Sequence, residues 1–282
     1  MIGRRWRLSG RGMPAALLAA SAVLLAACGT DTTSPAAGTF KPGRPGVLTI
    51  VTTDVPSPGF WEGTPDHVTG GFEFELGKAL ARRLGLKSVR VKIEPFARIV
   101  RGQLDGADLS LDLITPTSER GRSLTFSSPY LDAAPTVVVR TGTAVPDLHA
   151  TQGLRWGAVR ATTFVGSIAE MIRPDVATRF YANTSDLIAG LQQHQVDAVL
   201  LDLPAAVVTA DRSGGRLQAA AQLPDPETIA AALPKGSANE QAVSSAFRAF
   251  TADGTIDHLL RIWVGPEAAK AEKSIPVLET TL

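Results

Sequence analysis

From residue 47 onward the chain alternates short apolar strands with amphipathic helices, and this alternation constrains the fold more than any other feature. A first series begins with a strand at Val47–Val51 and continues into a helix in which Leu76, Leu80 and Leu84 recur every four residues. A second series begins with a strand at Trp156–Val159. Two series of similar size predict an α/β fold with two lobes, each a mainly parallel sheet flanked by helices.

The same patterns predict the remaining elements. Further strands are predicted at Val89–Ile93, Leu109–Ile114, Thr136–Arg140, Arg179–Tyr181 and Ala198–Leu201. Further helices are predicted at Ala97–Leu104, Thr163–Ile172, Pro204–Asp211 and Ile256–Trp263, with Ser185 as an N-cap and a capping box at Ser237–Glu240. The Pro- and Gly-rich stretch Pro56–Gly71 predicts a loop.

The N-terminus has the features of an export signal. Four arginines precede an apolar run at Ala15–Ala27, which is short for a membrane span. The run ends in Leu-Ala-Ala-Cys, a string that fits a lipobox with Cys28 as the lipidated residue; the alternative is a buried structural thiol. We expect a signal peptide at 1–28, a flexible tether at 29–46 and a protein that is extracytoplasmic and lipid-anchored to the cell membrane.

Composition excludes several other classes of protein. Cys28 is the only cysteine, so neither an intrachain disulfide nor a cysteine metal site can form. The chain has 28 Lys and Arg against 27 Asp and Glu, and removing the four signal arginines leaves 24 basic residues. This mildly acidic balance argues against nucleic-acid binding.

Catalytic and metal-binding motifs are missing from the sequence. It contains no GxSxG, HExxH, P-loop or GxGxxG pattern. The four histidines, at positions 67, 149, 194 and 258, do not have the spacing of metal ligands. We therefore expect a protein that is not an enzyme and uses neither a cofactor nor a metal.

Three polar positions follow predicted strands, where ligands bind in α/β folds. They are Arg120, the pair Thr162 and Thr163, and Asp202. A planar arginine suits a carboxylate and an aspartate suits an ammonium group, as an amino-acid ligand requires. Each also has a structural alternative: a surface arginine, a helix N-cap and an acid at a helix start.

Five segments, taken in order, resemble the family 3 solute-binding proteins, the receptors of polar amino-acid ABC importers. The segments are TGGFEFELGKALARRLGL, DLSLDLITPTSERGRSLTFSSPY, GAVRATT, VDAVLLD and FTADGTIDHLLRIWVG. Each motif is weak alone, but the collinear set covers residues 47–265. The resemblance implies a two-lobed clamshell of type II with two hinge crossings, near Val139 and near Ile229. The first lobe would be 47–138 plus 229–266, the second 139–228, and a C-terminal tail 267–282.

The resemblance also implies roles for individual residues. Arg120 would hold the α-carboxylate of the ligand, assisted by Thr163 and its backbone N–H, and Asp202 would hold the α-ammonium group. The other residues that would line the pocket are Thr115, Asp54, Phe60, Phe96, Leu113 and Thr162. Ser57, Leu113 and Phe164 depart from the residues that relatives usually carry.

Two residues point to different side chains on the ligand. Arg98 resembles the arginine that meets a distal carboxylate in the glutamate- and aspartate-binding branch; its alternative is an exposed helix position. Asp112 would repel an acidic ligand, and could instead pair with Arg98 or select a cation together with Asp54. We expect a monomer that passes a glutamate-, aspartate- or glutamine-like ligand to an ABC permease. The alternatives are a ligand sensor without transport and a dehydratase-like enzyme.

Overall fold

The computed structural model describes residues 39–266 and 273–279. The strands are β1 (Val47–Thr52), β2 (Glu62–Thr64), β3 (His67–Gly70), β4 (Ser88–Ile93), β5 (Leu109–Ser110), β6 (Leu124–Phe126), β7 (Leu131–Ala133), β8 (Pro135–Arg140), β9 (Trp156–Val159), β10 (Arg179–Tyr181), β11 (Ala198–Asp202), β12 (Leu217–Gln222), β13 (Glu227–Ile229) and β14 (Ala232–Pro234). The α-helices are α1 (Phe72–Arg83), α2 (Phe96–Ile99), α3 (Leu148–Gln152), α4 (Phe164–Ser167), α5 (Thr184–Gln192), α6 (Leu203–Arg212), α7 (Glu240–Ala252) and α8 (Thr255–Trp263).

Two five-stranded sheets follow the same plan. Their strand orders are β4-β1-β5-β14-β6 and β10-β9-β11-β8-β12. In each sheet the fourth strand, β14 or β8, runs antiparallel to both neighbours, and the other four strands share one direction. The predicted two-lobed α/β architecture with mainly parallel sheets is confirmed.

Alternating burial explains why helices cover both faces of each sheet. In β8, Val137 and Val139 enter one apolar cluster and Val138 enters the cluster on the opposite face. In β1, Leu48 and Ile50 pack toward α1 and α7, while Val51 packs on the other face with α2. None of the helices within the described residues has the length and apolar character needed to cross a membrane.

The lobes are joined through a short ladder of β7 and β13, in which Glu227 lies opposite Ala133 and Ile229 opposite Leu131. The first crossing therefore comes before Pro135, earlier than the sequence suggested, because all of β8 pairs within the second sheet. The second crossing lies at β13, close to the predicted Ile229.

Both ends of the described chain pack more closely than predicted. Residues 40–46 do not continue the tether: Phe40 is buried, and Lys41 exchanges hydrogen bonds with the side chain of Asn239. Near the C-terminus, Leu278 is buried in the second lobe and donates its backbone N–H to Gln222. The predicted signal peptide, Cys28 and most of the tether lie outside the described residues.

Several local predictions are wrong in detail. The predicted helix at 97–104 ends at Ile99 and the strand at 109–114 ends at Ser110, while the loop at 56–71 contains the hairpin β2–β3. The helix at 163–172 turns into π geometry at Ile168–Ile172.

Two predicted caps are also replaced by neighbouring residues. Helix α5 is capped by Asn183, whose side chain accepts from Asp186 N at 2.7 Å, rather than by Ser185. The capping box at α7 does not form, because Glu240 is already the first helical residue and its carboxylate accepts from Ser244.

Candidate ligand-binding site

A cavity of about 90 Å³ lies between the lobes at the carboxyl ends of β1, β5, β9 and β11. This edge is where ligands bind in open α/β sheets. The cavity volume is several times what one water molecule needs, roughly 10–15 Å³.

The cavity collects the predicted site residues with one exception. Those that line it are Asp54, Phe60, Phe96, Asp112, Leu113, Thr115, Arg120, Thr162, Thr163 and Asp202. Arg98 does not line it: its side chain is 52 % exposed and pairs with Glu94 at 3.4 Å, one helical turn away. The alternative of an exposed helix arginine therefore fits Arg98, and its suggested pairing with Asp112 does not occur.

Arg120 reaches across the cleft. It is only 8 % exposed, which excludes the alternative of a surface arginine. Its guanidinium donates to the Thr115 carbonyl at 2.7 Å and to the Ala161 carbonyl, on the second lobe, at 2.9 Å. It also lies 5.4 Å from the centre of the Phe96 ring. Burial lowers the pKa of Arg120 from its usual value, although an arginine stays charged in proteins.

Glu227 does not line the cavity, but it contacts two residues that do, and sequence reasoning missed it. Its Oε2 accepts hydrogen bonds from the Thr163 hydroxyl at 2.9 Å and from the Thr115 hydroxyl. A hydroxyl has a single proton to donate. While these bonds hold, the hydroxyl oxygens of Thr115 and Thr163 can therefore only accept hydrogen bonds from a group in the cavity. Thr163 stands at the N-cap of α4 but makes no capping hydrogen bond. The sequence around Glu227 carries no recognisable motif. Glu227 reaches the cleft because β13 pairs with β7 in the folded chain.

Asp202 is a buried acid with few interactions that offset the cost of burying its charge. It is 6 % exposed and stands at the N-cap of α6, yet its side chain makes no capping hydrogen bond. Within the described residues, no other residue donates a hydrogen bond to its carboxylate. Burial, with the negative charges of Glu227 and Glu73, raises the pKa of Asp202 to about 8. A ligand ammonium group would supply the missing partner.

Asp112 is half-buried and lines the cavity. It accepts hydrogen bonds from the hydroxyls of Thr52 at 2.9 Å and Thr53 at 2.5 Å. Burial, followed by the charge of Glu73, raises the pKa of Asp112 to about 8. This side chain favours a cationic group as its neighbour.

Two further acids border the cavity, each with defined donors. Glu73 is fully buried and accepts from Trp61 Nε1 at 2.8 Å, from Leu113 N at 2.9 Å and from the Tyr130 hydroxyl. Asp54 accepts from Thr184 N of the second lobe at 2.9 Å. Burial is the main cause that raises the pKa of both carboxyls.

Two residues beside the cavity have left-handed backbone conformations. Leu113 has φ of 47° and Ala161 has φ of 66°, a region that costs an L-residue energy. Leu113 is held by the hydrogen bond from its N–H to Glu73, and Ala161 by the bond that its carbonyl accepts from Arg120. These two strained residues therefore lie where the two lobes meet, although Asp105, Arg173 and His194, elsewhere in the fold, also have positive φ.

Residues 49–266 match the family described as bacterial extracellular solute-binding proteins, family 3. The chain belongs to this family. Over 203 residues, 71 % of the chain, it is 23 % identical to the L-cystine-binding protein TcyJ of Escherichia coli (strain K12), of which the match covers 76 %. A solved structure of an ancestral arginine-binding protein bound to arginine is 26 % identical, with a TM-score of 0.67 and coverage of 77 % of this chain and 98 % of that one.

Another relative is matched over a shorter stretch. Over 84 residues, 29 % of the chain, the identity is 38 % to the membrane-bound lytic murein transglycosylase F 1 of Alkalilimnicola ehrlichii. The match spans only 17 % of that protein. Family membership therefore establishes the fold and the binding domain, and the chemistry of the cavity has to establish the ligand.

Proposed function

We propose that this family 3 protein is the non-enzymatic, extracytoplasmic receptor of an ABC importer, anchored through Cys28, that binds an amino acid with a cationic side chain between its lobes. The observation that carries the proposal is the charge of the cavity. Four acids border it, Asp54, Glu73, Asp112 and Asp202, and a cationic group beside them would favour their ionised forms; among the residues that line the cavity, Arg120 is the one basic side chain.

The common part of an amino acid fits two of these groups. Arg120 retains unused N–H donors for a carboxylate, and no other residue in the described part of the chain donates a hydrogen bond to Asp202 on the facing lobe. A carboxylate and an ammonium group on one carbon would satisfy both buried charges, which are costly when unpaired. Relatives named for binding cystine, glutamine and arginine support an amino acid as the ligand.

The remaining surface favours a positively charged side chain. Asp112 and Asp54 are acceptors, and the hydroxyls of Thr115 and Thr163 donate to Glu227 and so present lone pairs to the cavity. With Arg98 outside the cavity, the expectation of a glutamate- or aspartate-like ligand loses its basis. A glutamine-like ligand could satisfy the acceptors but carries no side-chain charge to stabilise the ionised form of Asp112.

A thermal-unfolding screen of the full chain against the twenty amino acids tests the proposal. A ligand at about 100 times its dissociation constant stabilises the folded state by about 2.7 kcal/mol. We expect arginine or lysine to raise the unfolding midpoint by several degrees and glutamate and aspartate to leave it unchanged. A screen in which no amino acid shifts the midpoint would contradict the proposed receptor function.

A further inference from the structure

Glu227 is the point at which the hinge and both lobes meet. It opens β13, which pairs with β7 at the crossing between the lobes. Its Oε2 accepts from Thr115, which follows β5 of the first sheet, and from Thr163, which follows β9 of the second. Three separate segments of the chain thus converge on one carboxylate oxygen.

The geometry of a hinge makes this convergence sensitive to closure. Rotation of one lobe away from the other carries Thr163 away from Thr115, whereas Glu227 stays with the hinge ladder. At least one of the two hydrogen bonds must then break, and the freed groups must find water instead. Other contacts across the cleft, such as Arg120 with Ala161 and Asp54 with Thr184, link the two lobes directly and involve no residue of the hinge ladder.

We propose that Glu227 is a positioning residue that couples lobe closure to the orientation of the Thr115 and Thr163 hydroxyls. Closure brings both hydroxyls to one acceptor and fixes their protons away from the cavity. Opening releases one or both of them. This link goes beyond the proposed function and does not depend on which ligand the cavity takes.

Hydrogen–deuterium exchange of the full chain without added ligand tests the link. In Glu227→Ala, we expect amide exchange to become about fivefold faster in both 115–120 and 161–167, while β1 exchanges as in the unmodified protein. Glu227→Gln keeps a carbonyl acceptor and should restore part of the protection. Asp225→Ala is the matched control, because Asp225 is an exposed acid two residues earlier on the same segment, and it should change neither region.

The threonine variants identify the partners of Glu227. Thr163→Val should speed exchange in both regions, and adding Glu227→Ala should then add less than it does in the unmodified protein, because only the Thr115 bond is left to lose. The proposal is overturned if Glu227→Ala leaves either region unchanged, if Asp225→Ala has the same effect, or if the double variant shows the sum of two effects. Should Glu227→Ala fail to fold, Thr115→Val and Thr163→Val decide alone: an effect confined to the substituted lobe overturns the link.

Discussion

The two lobes share one sheet plan but bring different chemistry to the cleft. In both sheets the carboxyl ends of the parallel strands face the cavity, and the antiparallel strand adjoins the hinge ladder. The first lobe contributes Arg120 and the acids Asp54 and Asp112, whereas the second contributes Asp202, Thr163 and the carbonyl of Ala161. Topology thus fixes where the site lies, and the residues after each strand fix its charge. In the proposed function, the first lobe would recognise the side chain of the ligand, while both lobes would hold its common part.

The largest effect is expected when Arg120 is removed, because among the described residues it is the one cationic side chain that the first lobe brings to the cavity. Arg120→Ala should weaken binding of an amino acid found in the screen by about 2–5 kcal/mol, because it leaves a desolvated ligand carboxylate without its partner. Titration calorimetry measures the change. Arg101→Ala, which removes the same charge from an exposed position, should bind as the unmodified protein does.

The second lobe's counterpart is Asp202→Asn. Binding should weaken by about 2 kcal/mol, because the amide cannot neutralise the ligand ammonium group. At pH 8 the ligand-free protein should become more stable, since the variant no longer buries a group that is partly ionised there. Calorimetry and chemical denaturation measure the two effects. A variant that loses stability and keeps its affinity would show that Asp202 is structural.

The pH dependence follows from the raised pKa values of Asp112 and Asp202. Both carboxyls keep a proton up to about pH 8 in the folded chain but lose it near 3.8 when unfolded. The folded state therefore binds more protons between these values, and the free energy of unfolding from these groups falls as pH rises through that window.

Ligand binding should show the opposite trend. A cationic ligand favours the ionised carboxylates, so its affinity should rise between pH 6 and pH 8, with up to about one proton released from each group below pH 8. Calorimetry in buffers of different ionisation enthalpy counts these protons. Binding without proton release at pH 7 would contradict the assignment.

The smallest expected effect concerns the backbone at the point where the lobes touch. Ala161→Gly should stabilise the protein by about 0.5–1 kcal/mol, because glycine adopts positive φ without steric cost. Thermal unfolding measures the gain. A loss of stability would mean that the flexibility gained by the unfolded chain outweighs the strain relieved.

The sequence predicted the two-lobed fold class and the more buried strands, such as β1, β8, β9 and β11, because their apolar runs are plain in the sequence. It missed short strands such as β6, β7, β13 and β14, which have no such run. It also placed Arg120, Thr163 and Asp202 at one edge, because each was predicted to come after a strand. In the structure Asp202 is the last residue of β11, whereas Thr163 and Arg120 lie in the loops after β9 and β5. It could not find Glu227, whose position depends on pairing between β7 and β13, almost one hundred residues apart. It suggested a ligand contact for Arg98, but in the structure Arg98 instead pairs with Glu94, four residues earlier. Local caps such as Ser185 were misplaced because Asn183, Thr184 and Ser185 are all suitable cap residues.

The most direct test of the account compares arginine with citrulline, which has nearly the same shape but lacks the side-chain charge. Calorimetry should show the unmodified protein binding arginine at least about tenfold more tightly than citrulline. Asp112→Asn should reduce that preference, whereas Asp105→Asn, at an exposed acid paired with Lys92, should keep it. Equal affinity for the two ligands, or a preference for glutamate, would contradict the claim that the acids of the first lobe select a cationic side chain.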